Sequence, residues 1–399
     1  MKVCLNFICK DEEHVIERML NSTLKICDCI VANDTGSSDN TIKLIKEFGE
    51  KYDIPTLVVE REFDNFGNSR NYALESLKKY VSEELKWDLN DTFHIWLDCD
   101  EQFEYSEKFD KSKLKWDKDI YKLSAVLGVN KYSRVTAFRL SKNVEWYGPL
   151  HEYLRPKENM TSGDITEFWV NVKNDGNSWK IDTNKKYKKD ALLYEKFILE
   201  DSDIAKDPRW LFYCAQSWHD SATSKNEEEN KESLRRSMYY YKKRIESEEK
   251  GYFEEIYYSQ LRIGIIQMIL KEDFNVFKDS LLEAYKHDNM RGEGFKYIIQ
   301  YYQREKKWHN SLIFTKFCYD EFHGKSPYPE RILFIEEALY EWKFLEMYIG
   351  SLFYNRRIKE AQKLCIELEE IMNGKIHLFT KEDVVRVKKN INHIKSIKI

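Results

Sequence analysis

Along the first hundred residues, short apolar runs alternate with stretches in which apolar side chains recur every three or four positions. Residues 3–8 predict a first strand, and Val15, Ile16, Met19, Leu20 and Leu24 the buried face of a first helix. Residues 27–32 predict a second strand, Ile42, Ile45 and Phe48 a second helix, and 56–60, behind Pro55, a third strand. Ala73, Leu77, Tyr80, Val81 and Leu85 share one helical face, and a fourth apolar run from Phe93 ends at Asp98. Strand and helix alternating at this spacing predict a parallel α/β sheet with right-handed crossovers. After a lysine-rich excursion over 108–122, residues 134–140 predict a further strand.

From about Ile181 the pattern changes: glycine and proline become scarce and long amphipathic helices replace strands. Helical units recur at 208–216 with 237–241, 257–270 with 274–285, 294–303 with 308–319, and 332–354 with 358–371. Their pitch is near the roughly 34 residues of a tetratricopeptide helix pair. The expectation is therefore an α/β domain over 1–178 and an all-α repeat domain over 179–399, whose stacked pairs form a binding surface or a dimerisation arm.

Composition narrows the field only a little. With 399 residues and 42% hydrophobic content the chain can build more than one core. A net charge of -4 excludes a global basic field for nucleic acid. The eight cysteines show no Cys-x-x-Cys spacing for zinc and predict buried, reduced thiols in a cytoplasm-like compartment. The opening residues run too soon into Lys10, Asp11, Glu12 and Glu13 to be a signal peptide, and no apolar run reaches the roughly 20 residues that span a bilayer.

Candidate chemistry is densest where the fourth strand ends in Asp98, Cys99, Asp100 and Glu101. Alternate residues of a strand share a face, so Asp98 and Asp100 point together while Cys99 turns back into the core. Converging carboxylates call for a positive partner, and a hard divalent cation bridging diphosphate oxygens is the usual one. A lone Asp-x-Asp also describes a solvated acidic turn, so its neighbours decide. Asp34 ends the second strand ahead of Thr35, Gly36, Ser37 and Ser38, where Gly36 permits a tight backbone and Ser38 or Asp39 can cap the next helix. Singly, Asp34 reads as a turn former and Arg70 as a surface ion pair. Ligands bind beyond the carboxyl ends of parallel strands, however, and that rule gathers Asp11, Glu12, Asp34, Arg70, Asp98 and Asp100 on one rim. With no Gly-x-Gly-x-x-Gly, such a rim suits a nucleotide held by metal and arginine.

Lys10-Asp11-Glu12, the run from Asp34 to Thr41, Ser69-Arg70-Asn71 and Leu97-Asp98-Cys99-Asp100-Glu101 resemble, in order and spacing, the family 2 glycosyltransferases of GT-A fold. The branch joined to tetratricopeptide-like repeats, which includes bacteriocin S-glycosyltransferases, is the most similar in layout. The resemblance covers about the first 175 residues. It implies inverting transfer of a sugar from a nucleoside diphosphate, UDP by family habit, with Asp34 and Asp11 or Glu12 on the nucleoside and Arg70 on the base or diphosphate. Asp98 and Asp100 would then surround Mg²⁺ or Mn²⁺. Relatives often complete the metal shell with a histidine where this chain reads Lys173-Asn174-Asp175-Gly176, so Asn174, Asp175 or water would have to supply that oxygen.

Inverting transfer needs a base for the acceptor proton. Glu152 is the candidate, with His151 positioning it or touching the diphosphate; Trp146 and Tyr147 offer a stacking platform. The acceptor is a hydroxyl or thiol on a glycan, peptide or protein. Basic and aromatic residues interleave at 185–189 and 235–244, which admits a hydroxymethylated base in viral DNA as an alternative acceptor. A non-catalytic repeat scaffold is the rival from another class.

Overall fold

The computed structural model describes residues 1–127, 130–177, 180, 182–200, 204, 206–249 and 251–398. Alternation in the first strand, β1 (Lys2–Cys9), explains the layering of the α/β part. Val3, Leu5 and Phe7 pack into one core together with Ile16, Met19 and Leu20 of α1 (Ile16–Thr23) and Ile45 and Phe48 of α2 (Thr41–Tyr52). Cys4 points the other way, into a second core with Leu74 and Leu77 of α3 (Phe66–Lys79). The sheet is thus covered on both faces, as a parallel arrangement requires.

Between the helices lie β2 (Cys29–Asp34), β3 (Thr56–Glu60) and β4 (Thr92–Ile95). Six further strands follow among the described residues of the α/β part: β5 (Glu101–Tyr105), β6 (Ile120–Leu127), β7 (Asn130–Arg139), the hairpin β8 (Val144–Tyr147) with β9 (Tyr153–Pro156), and β10 (Ser162–Val172). The main sheet has eight strands in the order β3-β2-β1-β4-β7-β6-β10-β5. Strands β1 to β4 are mutually parallel, whereas β7 runs antiparallel to both β4 and β6. This is the GT-A-type α/β architecture expected, followed by an all-α region.

The chain divides into two compact units, Met1–Ile204 and Ala205–Ile399. The expected boundary at 178/179 lies outside the described residues, as does Ile181. The first unit also includes α4 (Thr183–Glu200), whose Tyr194 hydroxyl donates to the Leu150 carbonyl at 3.0 Å.

The second unit is built from consecutive packed helices: α5 (Pro208–Asp220), α6 (Glu227–Glu246), α7 (Glu254–Ile269), α8 (Phe274–His287), α9 (Glu293–Arg304), α10 (Trp308–Phe322), α11 (Phe344–Tyr354), α12 (Ile358–Gly374) and α13 (Lys381–Ser396). The helix expected from Ile332 starts instead at residue 337 and passes through a π-helical turn, Leu339–Lys343, into α11. Residues 332–334 are held non-helical by side chains: Glu254 accepts the Ile332 and Leu333 N–H groups, and Arg291 donates to the Leu333 carbonyl at 2.8 Å. In the basic-aromatic segment 235–244, Tyr241 is core and Arg244 is buried against Glu255 at 2.8 Å. All eight cysteines are buried and none is in a disulfide. No helix among the described residues is long and apolar enough to cross a membrane.

Candidate active site

Because β1 to β4 are parallel, their carboxyl ends share one edge of the sheet, and the loops there are stitched together. The Asp34 carboxylate is buried and accepts the Gly36 and Ser37 N–H groups at 2.9 and 2.8 Å, so it shapes its own loop. Asp11, at φ 55°, accepts from the Ser38 N–H at 2.7 Å, and the Glu12 N–H donates to Thr41 Oγ1 at 2.8 Å. These bonds tie the loop after β1 to the loop after β2.

Arg70 is the hub of the site. Asn65 caps α3 by accepting the Asn68 N–H at 2.8 Å, and the guanidinium emerges one turn into that helix. Its Nη2 donates to Asp98 Oδ1 at 2.6 Å and its Nε to Glu152 Oε1 at 2.5 Å. The group lies 4.8 Å from the Trp96 ring and 5.1 Å from that of Trp146. Burial disfavours its charge, but Asp98 and Glu152 outweigh that and raise its pKa. Arg70 thus bridges the predicted donor side and the predicted acceptor side.

The neighbouring Asn71 explains how Glu152 arrives there. Its side-chain amide donates to the Trp146 carbonyl and accepts the Trp146 N–H, both at 2.8 Å, docking the β8–β9 hairpin on α3. Only glycine fits at position 67, since a Cβ there would collide with the Gly148 carbonyl oxygen. Glu152 Oε2 takes no hydrogen bond from the described residues. His151 sits in the same turn at φ 52° and is exposed.

The three acids after β4 divide by exposure. The Asp98 side chain is 43% exposed and that of Glu101 only 3%. Glu101 faces inward, where Arg134 grips it through two N–H groups at 2.8 and 2.5 Å. Burial raises the Asp98 pKa, but Arg70 and then Arg134 outweigh it and hold that carboxyl below its ordinary range. Asp100 behaves oppositely: burial and then the charge of Asp98 push it up. Glu12 is raised by burial, against the opposing Asn177 N–H and with the charge of Asp100 adding.

The segment after β10 lies over these acids. Gly176 donates its N–H to Asp100 Oδ2 at 3.3 Å, and Asn177 its N–H to the Glu12 carboxylate at 3.0 Å. Asp175 is taken by Arg18 through two bonds of 2.8 and 2.5 Å, so its carboxylate is committed to an ion pair. A Cβ at position 176 would stand 3.2 Å from that of Asp100, so the two segments pack closely here.

Glu12, Asp98 and Asp100 offer only oxygen donors, and two of the three carry charge that burial and mutual repulsion disfavour. That fits a hard dication such as Mg²⁺ or Mn²⁺. No group of three or more His, Cys, Asp or Glu side chains is gathered for a metal among the described residues.

His94, on β4 beneath Arg70, was not anticipated. It is fully buried, stacks on Phe138 at 4.2 Å, and neither ring nitrogen has a hydrogen-bond partner among the described residues. Burial, with Arg70 and Lys78, lowers its pKa to about 3. The unfolded chain therefore takes up a proton near pH 6.5 that the folded chain refuses, and stability is lost as pH falls from there toward 3. The expected slope is about 1.4 kcal/mol per pH unit. His94→Leu should remove this dependence between pH 6.5 and 5 and leave the first unit as stable or about 1 kcal/mol more stable at neutral pH. Parallel pH profiles in urea unfolding would refute it.

Two open grooves, of about 430 and 810 Å³, lie toward the amino-terminal ends of β4 and β6, away from this rim. Arg139, which lines both, is engaged with the Trp116 and Lys118 carbonyls at 3.1 and 3.3 Å. Neither groove holds the acids, the Arg70 guanidinium and the second carboxylate that converge at the rim.

The sequence reading passed over Glu101 as a pairing residue, Arg134, Trp96 and His94. No local signal joins Glu101 to Arg134, which lie on β5 and β7, strands not adjacent in the sheet.

No family model matches the chain, and no curated protein does. Among solved structures, a crystal structure of TarS from S. aureus is similar at 13% identity with a TM-score of 0.35, over 71% of this chain and 55% of that one. A 1–349 form of TarS gives 13% and 0.35 over 72% and 91%, and its complex with UDP 12% and 0.33 over 72% and 92%. This chain thus spans about half of the longer TarS chain. Likenesses this weak carry none of the argument.

Proposed function

We propose that the α/β unit is an inverting, metal-dependent glycosyltransferase that moves a sugar from a nucleoside diphosphate, UDP by the sequence resemblance, to a hydroxyl or thiol of a glycan, peptide or protein. The observation that carries this reading is the Asp98–Arg70–Glu152 bridge at the carboxyl ends of the parallel strands, with Asp100 and Glu12 beside it. A dication at Asp98 and Asp100 would neutralise charge developing on the departing diphosphate. Arg70 fixes Glu152 Oε1, leaving Oε2 to take the acceptor proton as the acceptor's oxygen or sulfur bonds to the anomeric carbon. The anomeric C–O bond breaks at the same time, and its electron pair leaves with the diphosphate. Asp34 and Asp11 frame the nucleoside end by holding their loops in shape, and His151 flanks Glu152.

The test is a nucleotide-sugar panel with Mn²⁺ and intact-mass readout on glycan, peptide and hydroxymethylated DNA acceptors. Glu152→Gln keeps an acceptor for Arg70 Nε and removes the base, so transfer should fall about a hundredfold or more while UDP binding persists. Equal loss of UDP binding would move Glu152 to the donor side. A panel without transfer or donor hydrolysis would leave the α/β unit as a non-catalytic scaffold.

A further inference from the structure

The turn that presents Asp98 and Asp100 is closed by reciprocal bonds. The Glu101 N–H donates to the Asp98 carbonyl at 3.0 Å, and the Asp98 N–H donates back to Glu101 Oε2 at 3.0 Å. Cys99, between them, turns inward with its thiol 3.4 Å from the Ile8 carbonyl. The closure therefore hangs on the carboxylate of Glu101, which at 3% exposure cannot be solvated and needs a cation. Arg134 supplies it with a two-pronged grip, and its guanidinium lies 4.0 Å from the Trp96 ring, the ring that also carries Arg70.

We propose that Arg134 is a positioning residue of this site: by gripping Glu101 it holds the Asp98–Glu101 turn in the one conformation that offers Asp98 and Asp100 to a dication and diphosphate. The ligand named rests on the sugar-transfer reading; the geometry does not. Lysine is no equivalent here, because a point charge cannot span both carboxylate oxygens in the plane of a guanidinium. Were the grip lost, Glu101 would swing toward water or take a proton, and the Asp98 N–H would lose its acceptor.

The test uses the full chain. Removing Arg134 alone would strand a buried carboxylate, so the informative variant is Glu101→Leu with Arg134→Met, which deletes both charges and keeps volume. Its melting transition should match the parent's. Amide hydrogen exchange over 97–102 should rise at least tenfold while β1 and β2 stay protected, and calorimetric affinity for UDP with Mn²⁺ should fall at least tenfold. Arg134→Lys, which keeps the charge and loses the fork, should give intermediate values of both, and it remains decisive if the double variant does not fold. Unchanged exchange over 97–102 overturns the proposal, as does raised exchange with unchanged affinity. If the parent binds neither UDP nor another nucleoside diphosphate, the sugar-transfer reading fails on its own, and the exchange comparison still decides whether this pair sets the turn.

Discussion

Asp100→Asn is expected to reduce transfer, or hydrolysis of the donor, by about 10²- to 10³-fold without destabilising the protein. On the proposed sugar-transfer reading the loss follows from removing one anchor of the dication: several kcal/mol of charge neutralisation would disappear at the leaving diphosphate, and each 1.4 kcal/mol or so is tenfold in rate. Intact folding follows from the carboxylate's surroundings. Its bond from the Gly176 N–H is long at 3.3 Å, and an amide oxygen can replace it. Burial and the Asp98 charge raise its pKa, so at neutral pH the folded state carries an ionised group it disfavours. A neutral amide relieves that, and thermal unfolding of the first unit should move upward, if at all. By the same shift, the metal-dependent rate should decline with acid from a pH above the ordinary aspartate value of about 4. Full transfer by Asp100→Asn would take this residue out of the site, whatever happened to stability.

The second large effect lies in the helical unit, where Arg291→Met should cost about 3–5 kcal/mol. Arg291 has no exposed surface and serves four partners: Glu254 at 3.4 Å, Glu293 at 2.9 Å, and the Leu333 and Phe334 carbonyls at 2.8 and 3.4 Å. It also lies 4.3 Å from the Tyr257 ring. Without it, two buried carboxylates face each other uncompensated, and the 332–334 segment loses its tether. Urea unfolding followed on the helical unit would show the midpoint fall. A change below about 1 kcal/mol would mean that Glu254 and Glu293 find other cations. Replacing all three by apolar residues of like volume should be far milder, since no orphan charge remains.

The two units differ in how far they could be read in advance. In α/β proteins the periods of strand and helix are distinct, and β1, β3, α1 and α2 fell within a few residues of expectation. Edges were harder. The fourth strand stops at Ile95, short of the acids, because Trp96 turns its indole N–H to the Val135 carbonyl at 3.1 Å and the chain leaves the ladder. β5, which starts immediately after the acidic turn, joins the far edge of the sheet, a destination with no local signal. In the helical unit apolar content alone suggested that 332–336 were helical; side chains distant in sequence decided otherwise.

Local sequence determined β1 to β4 with the helices between them, their order, the covered sheet and the rim at its carboxyl edge, because periodicity and turn chemistry act over a few residues. It also marked out Asp98, Asp100, Arg70 and Glu152 as candidates. Tertiary structure alone decided that Arg70 joins Asp98 to Glu152, that Glu101 belongs to Arg134 and not to the rim, and that Asp175 is spent on Arg18. Those pairings link residues 28 to 157 positions apart. The energy that selects them is set by burial, where an unpartnered charge is costly, and burial is a property of the assembled fold that no short window of sequence contains.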